Sequence, residues 1–401
     1  MIPNVRHLEP FVAVAHGGSV SAAARALHLS QPAVTQAVAA LERALGTQLL
    51  SRSSRGVALT AAGRITAIRA ERALDCLREA LQELARSSTL PQAPRLRALT
   101  AARLAAIVAV AEARGFSNAA RAERRSRATV QRTARQIEQL LGTRLFEKTS
   151  HGIRITREAE RLVRRIRLAV AEIEQACAEV AATRGEERGE TVIGAMPLAR
   201  SSLVPTVVLQ MSARHPLHAI RLLDGPYDAL LHELRHGGAD FLIGALRESV
   251  PADVTQQHLF DDPLAIIMRA GHPLATAAAA APSLKSLSEF PWLAPRRDSP
   301  LNEHYGELMR RLPRRLPAAP IECNSLMAAR AILLASDRLM LLSANQVALD
   351  VRTGQLATRP HPLGRVVRKI GLTSRGDWLP TATQRALIDE VHAVAATYRW
   401  G

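Results

Sequence analysis

Residues 21–46 read SAAARALHLSQPAVTQAVAALERALG, and the N-terminal fold is decided there. Ser21–Leu27 has the spacing of a short helix. His28-Leu29-Ser30 is a tight turn, and Ser30 has the side chain to cap a second helix. Pro32 falls in the first turn of that helix, where a missing N–H costs little. From Gln31 to Leu45, Val34, Val38, Leu41 and Leu45 mark one face, and Thr35, Gln36, Ala39 and Arg43 the other. Two short helices joined by a tight turn, the second with a polar outer face, predict a helix-turn-helix.

Upstream, Leu8, Phe11, Val12 and Ala15 recur at helical spacing until Gly17-Gly18-Ser19. Downstream, Leu49–Leu59 holds two short extended runs around Ser54-Arg55-Gly56, which suits a β-wing. The whole pattern then recurs. Shifted by 96 positions, Leu8–Thr60 lies on Leu104–Thr156 without a gap, with 20 identities over 53 positions. Two copies make a duplication and not a solenoid. A Pro-containing stretch, Thr89–Pro94, separates them as a short tether. Each copy is followed by a long helical stretch. In the first, Ile65, Ile68, Leu74, Leu77, Leu81 and Leu84 form an apolar stripe, and in the second Leu162, Ile166, Val170, Ile173 and Val180.

The first copy, with Ser21-Ala22-Ala23-Ala24-Arg25-Ala26-Leu27, Ser30-Gln31-Pro32-Ala33-Val34-Thr35, Leu45-Gly46 and Leu59-Thr60-Ala61-Ala62-Gly63, resembles the winged helix-turn-helix of LysR-type transcriptional regulators. The resemblance implies that Gln31–Leu45 enters the DNA major groove and that Thr60–Arg86 is a linker helix used for dimerisation. Expected DNA contacts in this copy are Ser30, Gln31, Pro32, Thr35 and Gln36, with Arg52 and Arg55 of the wing on phosphate. The second copy departs from the family pattern: Ser126-Arg127-Ala128-Thr129 replaces Ser30-Gln31-Pro32-Ala33. Its expected contacts are Arg127, Gln131, Arg132 and Arg135, with Lys148 in the wing. Arginine contacts guanine edges but more often phosphate, so sequence reading and phosphate holding both stand for this copy. The family normally carries one such domain per chain.

Beyond the Arg184–Gly189 hinge, strand and helix alternate: Thr191–Ala195, Leu203–Arg214, Ala219–Leu223, Tyr227–Gly237, Asp240–Gly244, then Leu264–Met268 and Arg338–Leu342. This predicts a parallel α/β architecture in two lobes. The half resembles the periplasmic-binding-protein-like effector domain of the same family, through Val192-Ile193-Gly194-Ala195, Leu203-Val204-Pro205, Gly237-Gly238-Ala239-Asp240 and Gly271-His272-Pro273-Leu274. Ile321-Glu322-Cys323-Asn324-Ser325 and Trp378-Leu379-Pro380-Thr381 are similar to the galactose-binding-protein regulator subgroup. Ligands in such folds sit beyond strand ends against helix N-termini. Ser201 and Ser202 after the first strand, and Asn324 and Ser325 in the second lobe, are the expected effector contacts; ordinary helix capping is the competing reading.

Composition bounds these readings. The net charge is +17, and residues 1–188 hold 30 Lys+Arg against 17 Asp+Glu, leaving +13 of it in the duplicated half. That distribution points to a polyanion partner. No apolar run of about 18 suggests a membrane span, and MIPNVRHLEP lacks the apolar core of an export signal, so a cytoplasmic home is expected. Three separated cysteines give no disulfide framework or zinc knuckle, and no HExxH, P-loop, GxGxxG or GxSxG is present; no cofactor, metal or catalysis is expected.

The expected architecture is therefore multidomain: winged helix-turn-helix over 1–63, linker helix 64–90, a second winged helix-turn-helix over 97–158, linker helix 159–185, and a two-lobed effector domain over 190–401. The expected partners are double-stranded DNA, a sugar or small organic acid, a second chain or three more as homodimer or homotetramer, and RNA polymerase. The alternative is an architectural DNA-binding protein whose C-terminal half only oligomerises.

Overall fold

The computed structural model describes residues 4–53, 56–86, 95–150, 152–186, 188–201, 203–275 and 281–397. It divides into two compact units, one holding Met1–Glu190 with Leu217–Ala219 and Arg235–Gly238, the other the remainder.

In the first unit, α1 (Val5–Gly17), α2 (Val20–Ala26) and α3 (Gln31–Leu45) are followed by the hairpin β1 (Leu50–Ser53) and β2 (Gly56–Leu59) and the long α4 (Ala61–Ala85). The order then repeats as α5 (Ala101–Ala113), α6 (Phe116–Ala122), α7 (Arg127–Leu141), β3 (Phe146–Thr149), β4 (Gly152–Ile155) and α8 (Arg157–Ala182). Start signals lie where the sequence puts them. Ser30 Oγ accepts the Ala33 amide to begin α3, and Ser126 Oγ accepts that of Thr129 to begin α7. Gly46 and Gly142 end these helices in the left-handed conformation. Thr60 Oγ1 accepts the Gly63 amide at the start of α4, and Thr156 Oγ1 that of Ala159 at the start of α8.

The sequence reading sets the two copies as bodies joined by a short tether. In the structure they share one apolar core, because α4 packs along α8. Leu8, Phe11, Val34, Leu74 and Leu77 from the first copy join Leu104, Ile107, Ile137, Leu162 and Ile166 from the second. The expected stripe of α4 needs one correction: Ile68 is 53% exposed, and Arg69, buried between the long helices, takes the inward position.

The second unit runs β5 (Gly189–Ala195), α9 (Pro197–Ser201), α10 (Leu203–Arg214), β6 (His218–Leu223), α11 (Tyr227–Arg235), β7 (Phe241–Ala245) and β8 (Val254–Arg269). It continues with α12 (Leu284–Leu287), β9 (Trp292–Ala294), α13 (Pro300–Arg311), β10 (Ile321–Glu322), α14 (Leu326–Leu334) and β11 (Leu339–Ser343). It closes with α15 (Ala348–Arg352), β12 (Leu356–Pro360), β13 (Val367–Arg375) and α16 (Ala382–Thr397). Strand order is β10-β9-β11-β8-β13-β7-β5-β6, with β12 also on β8.

The sheet is mixed, which corrects the all-parallel expectation. β5 and β7 are parallel, as are β9 with β10 and β11, but β13 is antiparallel to both β7 and β8. β8 carries the chain out of one lobe and into the other, and β13 carries it back; two connections running opposite ways pair antiparallel. Each lobe keeps its own core, one around Ile193, Val207, Phe241, Ile370 and Leu387, the other around Ile266, Trp292, Leu308 and Leu341. Among the described residues no helix is long and apolar enough to cross a membrane.

Candidate nucleic-acid interface

The outer face of α3 is built by what its inner face buries. Val34, Ala37, Val38, Leu41 and Leu45 turn inward, which leaves Gln31, Pro32, Thr35 and Gln36 exposed together at the N-terminal end, beside the exposed cap Ser30. Thr35 Oγ1 donates to the Gln31 carbonyl at 3.0 Å. Neither glutamine side chain has a partner among the described residues. An exposed, unpartnered amide presents donor and acceptor together, as bidentate reading of adenine requires. In the wing, Arg52 has its backbone in β1 opposite Val57, while its side chain and all of Arg55 lie outside the described residues.

The face of α7 is framed the same way by Val130, Ala134, Ile137 and Leu141, yet carries other chemistry. Under the 96-residue shift, Gln31, Gln36 and Ala39 become Arg127, Arg132 and Arg135, and the turn residues His28 and Leu29 become Arg124 and Arg125. All five arginines are exposed, as is Lys148 on the wing, and none of these six side chains has an ion-pair partner among the described residues. Gln131, expected on the outer face, is half-buried. Some cations elsewhere in this unit are paired: Arg154 with Glu147 across the wing and Arg167 with Glu112. Unmatched cations gathered on one face repel one another and attract a polyanion.

In the second unit three of the four expected effector residues lie among the described residues. The helix after β5 begins at Pro197, earlier than the sequence reading puts it, because Pro197 supplies a first-turn residue that needs no N–H donor. Ser201 is thus one turn in, and its Oγ donates back to the Pro197 carbonyl at 3.2 Å; Ser202 lies outside the described residues. Ser325 caps α14 by accepting the Ala328 amide, and Asn324 beside it is exposed.

Sequence reasoning missed the polar centre where the lobes join. Asp262 is fully buried on β8, and Oδ2 accepts from Arg368 of β13 at 2.8 Å. Its Oδ1 accepts from Ser343 Oγ at 2.5 Å and from Asn345 Nδ2 at 3.0 Å. Arg368 also reaches Gln346, and the 344–347 turn carrying Asn345 and Gln346 packs on α9. Only the Asp261-Asp262 doublet in a strand hints at this in the sequence. A cavity of about 510 Å³ in the second lobe is lined by Tyr305, Met309, Leu312, Leu316 and the Arg314-Arg315 pair, and by none of the four expected residues.

Comparison with known proteins gives a consistent set of likenesses. Residues 5–64 and again 101–160 match the family model for the bacterial regulatory helix-turn-helix protein, lysR family, and residues 184–396 match the LysR substrate binding domain. The chain is 31% identical over 388 residues to the HTH-type transcriptional regulator GalR of Pseudomonas putida, covering 96% of each. It is 28% identical over 295 residues to PcaQ of Agrobacterium fabrum, covering 73% of this chain and 94% of that one. A full-length OxyR variant from Pseudomonas aeruginosa superposes with a TM-score of 0.55 at 22% identity, over 74% of this chain and 94% of that one. CbnR, described as a LysR family transcriptional regulator, gives 0.52 at 20% identity, over 73% and 98%.

Proposed function

Since the chain belongs to the LysR family and is a transcriptional regulator with an effector-binding domain, we propose that both of its N-terminal copies are winged helix-turn-helix domains that bind DNA. The carrying observation is the contrast between α3 and α7. One capped helix offers unpartnered amides, the other unpartnered arginines, on the same geometric face. The first copy reads bases through Gln31, Thr35 and Gln36; the second holds phosphate through Arg127, Arg132, Arg135 and Lys148.

The effector is a sugar or small organic acid held between the lobes, near Ser201 and the Asn324–Ser325 start of α14, with Arg368 a built-in cation for a carboxylate. Binding alters transcription because the effector favours one lobe arrangement over the other, and the heads of the oligomer follow. RNA polymerase is the downstream partner. No substrate is turned over.

Two measurements on the full chain test this. In a mobility-shift assay, Gln36→Ala should weaken binding to the selected operator by roughly 5- to 150-fold, as loss of one bidentate base contact does. Unchanged affinity and selectivity would remove the first copy from sequence reading. In a thermal-shift screen of sugars and small acids, a ligand that raises the melting point without being consumed supports the effector reading, whereas turnover of that ligand would refute it.

A further inference from the structure

We propose that one chain carries a complete pair of reading heads, closed on itself through α4 and α8, and that it therefore takes an operator whose two half-sites differ. This rests on the reading of both copies as DNA-binding heads.

The two long helices run antiparallel along one another, and ion pairs set their register. Arg69 on α4 is 1% exposed; its Nε donates to Glu179 at 2.8 Å, and its Nη1 to Glu172 at 2.9 Å and Gln175 at 2.7 Å. Further along, Arg165 on α8 pairs with Glu79 and, at 2.8 Å, with Glu83 on α4. Two of the three contacts of Arg69 recur around Arg165, while the position matching Glu172 is Cys76. Arg165 stands 96 residues after Arg69, Gln175 stands 96 after Glu79, and Glu179 stands 96 after Glu83. In a two-fold interface residue i of one partner meets j of the other, and j meets i. That reciprocity is present here inside one chain, with α4 and α8 as the two partners.

The apolar contacts obey the same exchange. Ala70, Ala73, Leu77, Ala80 and Leu84 are buried on α4, and their mates Ile166, Ala169, Ile173, Ala176 and Val180 are buried on α8. An α4 stripe without a partner would leave these side chains in water; within this chain it is covered. Buried, hydrogen-bonded ion pairs add little net stability, yet removing one partner is costly because the other charge is left buried. Arg69 shows the balance: burial pulls its pKa down, the Glu179 and Glu172 carboxylates more than offset this, and the net shift is upward.

The pairing has two consequences. This helix face is occupied, so a second chain has to associate elsewhere. The two paired heads are also not copies of one surface: Gln31, Thr35 and Gln36 on one correspond to Arg127, Gln131 and Arg132 on the other. A palindromic operator suits two identical heads. These heads call for one half-site with base identity and one defined chiefly by its backbone.

The test is a cross-link in the full chain. Arg72 on α4 meets Glu172 on α8 at 2.8 Å. Leu168 stands 96 after Arg72, and Glu172 stands 96 after Cys76, so the pseudo-two-fold carries this contact onto Cys76 and Leu168. A chain with Leu168→Cys, Cys177→Ser and Cys323→Ser is treated with a short bis-maleimide, with and without operator DNA. We expect a cross-link within the monomer band, independent of protein concentration. A covalent dimer, or no cross-link in a protein that melts as the parent does, overturns the proposal. If Leu168→Cys does not fold, Arg72→Cys with Glu172→Cys and the native cysteines changed to Ser gives the same readout at the observed contact. DNA binding is scored separately on the parent chain: its absence sinks the functional reading and leaves the cross-link result standing, whereas DNA binding with covalent dimers sinks only the single-chain pairing.

Discussion

In the first N-terminal copy Glu42 Oε1 accepts the amides of Leu49 and Leu50, bracing α3 against the strand after it. In the second, Glu138 Oε1 does the same for Leu145 and Phe146. Thr60 Oγ1 caps α4 while donating to Gln48, and Thr156 Oγ1 caps α8 while donating to Arg144. Internal braces are thus kept to the atom, while nearly every outward position of the recognition helix differs. Braces leave buried groups unsatisfied when removed, at about 1–3 kcal/mol each, so either copy needs them to fold. Outer-face residues contribute little to folding and answer to what they touch. One framework here supports two surfaces, one offering side-chain amides and the other arginines.

The largest expected effect separates the two halves of the long-helix interface. Arg69→Ala takes the buried cation from Glu172 and Glu179, leaving Glu172 only the part-exposed Arg72, and should cost roughly 3 kcal/mol of stability. Its mate Arg165→Ala faces the more exposed Glu79 and Glu83 and should cost only about 1 kcal/mol. Denaturant midpoints of the two variants measure the difference, and equal costs would mean that Arg69 is not buried as described.

Next in size is the proposed division of labour on DNA. Gln36→Ala should cost about 1–3 kcal/mol on the selected operator and little on random duplex. Arg132→Ala, at the matching position, should weaken both to the same degree and lower the slope of log K against log salt by about one. A change in preferred sequence with Arg132→Ala would show that the second copy also reads bases.

Much of this was legible in the sequence because it is local. Spacing marks the buried face of α3 at Val34, Val38, Leu41 and Leu45, and the hydroxyl of Ser30 marks its cap. The half-burial of Gln131 is not legible there, since periodicity ranks faces and does not say where a neighbouring element stops water. The α4–α8 pairing joins residues about 100 positions apart, and an apolar stripe announces that it needs a partner without naming it. The one available clue was electrostatic: shifting by 96 sets Arg69 on Arg165 and Glu83 on Glu179, a reciprocity visible only once the repeat is carried into the long helices. Asp262 illustrates the same limit, because its partners Ser343, Asn345 and Arg368 arrive from three later segments.

The smallest expected effect tests whether both frameworks are equally relaxed. At the end of α1, Gly18 has φ +60°, and its carbonyl accepts the Val57 amide of the wing at 3.1 Å. At the matching place after α5, Arg114 holds φ +46°, and its carbonyl accepts the Ile153 amide at 3.3 Å. The wing bond needs this left-handed turn in both copies, but glycine adopts it freely while a side chain strains against the carbonyl after it. Arg114→Gly should therefore stabilise the protein by up to about 1 kcal/mol, and Gly18→Arg should destabilise it by a similar amount. Because the contact serves the wing and not the recognition helix, neither change should alter which DNA sequence is preferred. A calorimetric melt of each variant, beside its operator selection, checks both halves. If Arg114→Gly destabilises instead, the arginine side chain is making a contact worth more than the strain it carries, and the second copy is held together differently at its wing from the first.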